Sequence, residues 1–145
     1  MKHFIPVFLF WIMASACTPQ VSSPKQWKAE SLFFGSGGGF TGLCTTWCLL
    51  SNGQLFRQDA FPGENPAFES MGKLSKTRTR SFFEAAHAID WTRPLEDPGN
   101  MYHFLEWKKG PDSTRLSWGG GHKPVPEKVE ALYESLKSVQ ADQKP

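Results

Sequence analysis

The chain has 145 residues, with 16 Lys plus Arg against 14 Asp plus Glu and a formal net charge of +2. That length supports one domain with a modest core. The near-neutral balance excludes the strong basic footprint of a nucleic-acid binder, so no nucleic-acid partner is expected. The densest basic stretch is Lys73, Lys76, Arg78 and Arg80, which alternates with Leu74, Ser75, Thr77 and Thr79 and reads as solvated surface.

In chain order, Lys2 and His3 precede an apolar run over residues 4–13, and Ala14-Ser15-Ala16 puts small residues before Cys17. That order is a bacterial export signal. The run is too short for a permanent membrane helix, which needs ~20 residues. Ala14-Ser-Ala-Cys17 resembles the bacterial lipobox, in which the cysteine is acylated and becomes the new N-terminus. Ordinary signal peptidase would cut the same bond. The expected plan is a signal peptide over residues 1–16, lipidation at Cys17, a polar tether over 17–26 and a single domain over 27–145. The expected location is the cell envelope, with the membrane as a partner through the N-terminal lipid. A periplasmic or secreted chain is the alternative.

Residues 27–34 are predicted to form a first strand, followed by the loop Gly35-Ser-Gly-Gly-Gly39. A second strand runs over residues 40–50. Asn52-Gly53 then supplies the positive φ of a tight hairpin turn, and residues 54–61 return as a third strand. The Pro- and Gly-rich residues 62–72 read as a loop. Phe82, Phe83, Ala86 and Ile89 recur at helical spacing within residues 75–90, and Pro94, Pro98 and Gly99 break the pattern. Residues 101–109 alternate as a fourth strand, and 114–118 form a fifth. The last helix starts at Pro126, with Val129, Leu132, Tyr133, Leu136 and Val139 along one face. The order β-β-β-α-β-β-α predicts an α+β fold, an antiparallel sheet of about five strands with two helices packed on it.

Cys44 and Cys48 share a strand face about 13 Å apart, beyond the ~7 Å a disulfide permits. No ligand-spaced pair completes a metal site, and no cofactor is expected. Gly37-x-Gly39-x-x-Gly42 matches a dinucleotide fingerprint in letters, but strand residues follow it where a helix is needed. His87 and Asp90 lie three apart on a helix and could face one another. His103 shares its strand face with Met101, Leu105 and Trp107, a packing position. His122 sits between glycine-rich turns without an evident partner. With no nucleophile placed beside a base, the expectation is a non-enzymatic binding module.

The stretch Gly35-Ser-Gly-Gly-Gly-Phe-Thr-Gly42 resembles that of emfourin, a small protein inhibitor of thermolysin-family metallopeptidases, which carries a similar Ser-Gly-Gly-Phe-Ala-Gly run. The aromatic helix Phe82-Phe83-x-x-Ala86, the Tyr102-x-Phe104 strand and the late Pro126-x-x-Val129 helix follow in the expected order. Departures are an extra glycine, Thr41 where alanine is common, the lipoprotein leader and the Pro/Gly-rich segment over residues 61–72. The resemblance implies an exported metallopeptidase as partner. The candidate binding loop is Gly37, Gly38, Gly39, Phe40, Thr41 and Gly42: the glycines allow close backbone approach, and Phe40 is a pocket anchor. The competing reading makes the glycines a bulge or bend and buries Phe40 in the core. A second functional reading is a glycan-binding or complex-forming accessory lipoprotein, with Trp91, Trp107 or Trp118 as exposed stacking platforms.

Overall fold

The computed structural model describes residues 20–142, so the expected signal peptide and Cys17 lie outside the described residues. These residues form one seven-stranded sheet with two helices on one face. The strands are β1 (Glu30–Gly38), β2 (Cys44–Leu50), β3 (Gln54–Ala60), β4 (Glu69–Lys73), β5 (Glu96–Asp97), β6 (Met101–Lys109) and β7 (Asp112–Trp118). The helices are α1 (Lys76–His87) and α2 (Glu127–Ala141). Across the sheet the order is β4-β3-β2-β1-β6-β7-β5. All neighbours are antiparallel except β5 and β7, which are parallel.

The α+β class stands, but the expected five-stranded antiparallel sheet is corrected to a mixed sheet of seven. Both additional strands are edges. β4 lies within the stretch expected to be a loop and is almost wholly exposed, with a bulge between Leu55 and Phe56 of its partner strand. A solvated edge needs no apolar alternation, so it leaves little hydrophobic pattern. β5 is two residues long and forms between the helix-breaking prolines. β1 is also displaced from its expected position: it starts at Glu30 and continues through the glycines to Gly38.

Alternation sorts the sheet faces. Leu32, Phe34, Trp47, Leu49, Leu55, Leu105, Leu116 and Trp118 point toward the helices. α1 contributes Phe82, Phe83 and Ala86; α2 contributes Val129, Leu132, Tyr133, Leu136 and Val139. The Ser75 side chain caps α1 by accepting from the Arg78 N–H at 3.2 Å, satisfying one orphan donor of the first turn. The opposite face carries a smaller cluster of Cys48, Leu50 and Phe56, covered by Val21, Trp27, Phe33 and Phe68.

That cover revises the expected tether. The Val21 N–H donates to Gln54 Oε1 and Gln54 Nε2 donates back to the Val21 carbonyl, both at 2.9 Å. Residues Pro24–Gln26 form a 3-10 turn capped by Ser23, and Trp27 Nε1 bonds the Glu30 carbonyl at 3.0 Å. From Val21 onward this segment is part of the folded domain.

Candidate functional site

The glycines after Phe34 serve two purposes along one strand. A Cβ on Gly35 would lie 2.0 Å from the Thr45 carbonyl oxygen and 3.1 Å from the Phe104 ring; one on Gly37 would lie 2.7 Å from the Tyr102 hydroxyl. Gly35 is bare because the Thr45 backbone carbonyl of β2, with the Phe104 ring behind it, fills the space of a side chain, and Gly37 because the Tyr102 ring does. Phe104 itself is 1% exposed, roofed by the Arg115 guanidinium at 3.8 Å, a cation–π contact. Burial and the neighbouring Cys44 thiol push the Tyr102 hydroxyl above its ordinary pKa.

Beyond the sheet the same run becomes a projecting turn. Gly38 and Gly39 take φ of 98° and 75°, the left-handed region that favours glycine. The Gly39 N–H donates to the Asn100 carbonyl at 2.8 Å and the Gly42 N–H to the Gly39 carbonyl at 3.2 Å. Phe40 stands at the tip, fully exposed. The reading that buried it in the core is overturned. Phe40, Phe61 and Met101 are the exposed large hydrophobics among the described residues. Register gathers all three at one end of the sheet. Met101 pairs with Gly38, and Ala60, which precedes Phe61, pairs with Cys44. A Cβ on Gly42 would touch Pro62, and one on Gly39 would touch the Met101 sulfur. Thr41 is exposed beside Phe40, and its Oγ1 accepts from the Leu43 N–H at 3.4 Å. Sequence reasoning found the loop but missed Phe61 and Met101, whose exposure depends on strand register.

Tryptophans are placed differently from the stacking-platform reading. Trp118 is 8% exposed and packs edge-on against Tyr133 with ring centroids 5.0 Å apart, so its proposal as a surface aromatic is corrected. Trp91 and Trp107 are half-buried and stack on each other at 5.9 Å. Trp91 Nε1 donates to the Ala86 carbonyl at 2.9 Å, whereas buried Trp107 Nε1 has no partner among the described residues.

Each histidine among the described residues acquires a partner distant in sequence. His87 Nε2 lies 2.8 Å from Glu30 Oε2, while Asp90 turns to Thr92 and Arg93; the His87–Asp90 pairing that helical spacing would allow does not form. Lys109 completes the Glu30 group at 3.1 Å. Burial opposes ionisation of Glu30, but bonds from His87 and Lys109 outweigh it and hold its pKa below the usual value. His103 Nδ1 lies 3.0 Å from the Tyr133 hydroxyl, which donates to the Gly35 carbonyl at 3.0 Å. With its one proton committed, that hydroxyl accepts from the His103 Nδ1–H. Burial pushes the Tyr133 pKa up to about 12.

The expectation that His122 lacks a partner is also corrected. Its Nδ1 lies 3.0 Å from Asp97 Oδ1, and the His122 and Lys123 N–H groups donate to Asp97 Oδ2 at 2.8 and 3.0 Å. Desolvation raises the Asp97 pKa, but those bonds lower it further and leave a net depression. Twenty-five residues separate the pair, so no local spacing announces it. The carboxylate organises the loop after β7, with its own backbone carbonyl bonded to the Gly120 N–H at 2.7 Å. Neither His87 nor His122 has a hydroxyl or thiol bonded to its ring among the described residues. No group of three metal-ligating side chains occurs among those residues. Cys44 and Cys48 are free thiols on the helix-free face.

The described chain is thus an α+β domain with an apolar tip at one end of its sheet. Neither a protein-family model nor a curated protein matches it.

Proposed function

We propose that this chain is a non-enzymatic binding module of the bacterial envelope, anchored by lipid at Cys17, whose Gly38–Phe40–Gly42 turn enters the cleft of an exported metallopeptidase. The emfourin-like glycine-Phe stretch names the target class. The single observation that supports the reading is the Phe40 side chain, fully exposed on a turn whose backbone is bonded to the β6 approach. A lone exposed ring needs no partner, but a contiguous apolar patch marks an interaction surface. Phe61 and Met101 beside Phe40 supply the apolar surround that excludes water from an anchor. The glycan-binding alternative loses support, because Trp47 and Trp118 are buried and Trp27, Trp91 and Trp107 are half-buried.

The test is inhibition of a panel of thermolysin-type peptidases by the purified chain. Saturable inhibition of at least one enzyme is the expected result. No inhibition and no complex with any member would refute the target class.

A further inference from the structure

At the end of the sheet opposite Phe40, a cavity of about 510 Å³ has Leu74, Thr79 and Phe83 in its wall and Glu30, Lys73, Lys76 and Arg80 around them. Lys28 and Lys109 belong to the same end: Lys109 pairs in register with Glu30, and Gly110 packs near the Lys28 carbonyl. Lys28, Lys73, Lys76, Arg80 and Lys109 are all exposed. Against them stand Asp112, Glu84 one turn beyond Arg80 on α1, and Glu30, which is already paired with His87 and Lys109. Acids are absent from the first turn of α1, although they would suit a helix N-terminus better than the lysine and arginines found there.

The position where the chain enters the fold gives this charge an occupant. Val21 is bonded to Gln54, the first residue of β3, beside the Ser51–Gly53 turn at the same basic end. Only three residues lie between Cys17 and Val21, a covalent reach of at most ~14 Å over the four steps. Phe40 lies beyond the far end of β1, a nine-residue strand about 27 Å long.

We propose that the basic end of the sheet is a membrane-docking surface for anionic lipid headgroups. It stands the domain upright, with the Phe40 turn directed away from the bilayer. The orientation rests on the reading of Cys17 as the lipid anchor. A link of that length lets the lysines and Arg80 reach the interface, where the surface potential of anionic lipid is felt within a Debye length of ~8 Å.

The test uses the full chain extracted from membranes, with the mass of its N-terminal peptide reporting acylation. The chain is placed in nanodiscs carrying a paramagnetic headgroup lipid, either phosphatidylglycerol-rich or wholly phosphatidylcholine, and its amide signals are read by NMR. Expected is loss of intensity at Lys73, Lys76 and Arg80 that is stronger with phosphatidylglycerol, with Gly39, Phe40 and Thr41 unaffected. The double variant Lys76→Glu and Arg80→Glu, at exposed helix positions that tolerate acids, erases the difference between the discs. Equal attenuation in both discs, attenuation strongest at Phe40, or indifference to the double variant would overturn the surface. An unmodified Cys17 refutes the anchor alone. The surface is then judged by partition of the unacylated chain into phosphatidylglycerol vesicles, which the two substitutions should lower roughly 30-fold; absence of binding overturns it.

Discussion

Phe40 and Tyr133 mark the two ways this chain uses an aromatic ring. Phe40 touches water on all sides and contributes nothing visible to the core. Phe40→Ala should therefore shift unfolding free energy by no more than about 0.5 kcal/mol, measured by urea denaturation. Tyr133 is 4% exposed, and its hydroxyl links the His103 ring to the Gly35 carbonyl. Tyr133→Phe removes both of these bonds from a buried site and should cost about 1–3 kcal/mol in the same assay. Asp97 supplies the pH dependence. Its folded pKa lies below the ordinary value, so its stabilising contribution is present above an unfolded pKa of ~3.9 and is lost as pH falls through the lower folded value. Asp97→Asn should lower the melting temperature at neutral pH, and the gap from the native chain should close under acid conditions. A gap unchanged down to pH ~2 would mean the carboxylate charge does not hold the His122 loop.

Among the elements, α2 and the β1–β2 hairpin carry opposite risks. Leu136 is wholly buried between α2 and the sheet, and Leu136→Ala should cost about 2–5 kcal/mol. Gly37→Ala drives a Cβ into the Tyr102 ring and should cost about 1–3 kcal/mol by forcing that ring aside. A neutral Gly37→Ala would show that the ring moves freely. These elements differ equally in how plainly the chain announces them. α2 is legible because Val129, Leu132, Tyr133, Leu136 and Val139 keep the helical period. β6 is legible because Met101 to Lys109 alternates. The segment Gly35–Gly38 is not, since glycine usually interrupts a strand; here it remains one because the Thr45 carbonyl, backed by Phe104, and the Tyr102 ring fill the space of the missing side chains. β4 and β5 escape for another reason: short exposed edges satisfy their ladder without an apolar stripe. In the candidate site, the loop was legible from Gly37 to Gly42. The Glu30–His87 and Asp97–His122 pairs were not, because chain folding alone brings them together.

As a whole, the molecule has an axis along its central strands. Basic side chains and the entry of the chain at Val21 occupy one end; Phe40, Phe61 and Met101 occupy the other. A domain anchored at the first end offers the second to soluble partners in the surrounding compartment. On the proposed function Phe40 serves binding and not stability, so its effects must separate in a single comparison. That comparison is the inhibition constant against a thermolysin-type peptidase for the native chain and Phe40→Ala, with unfolding measured on the same samples. The account predicts inhibition by the native chain, weakening of about 30-fold or more on truncation, and superimposable unfolding curves. Equal inhibition by both proteins, or none by either, would contradict it.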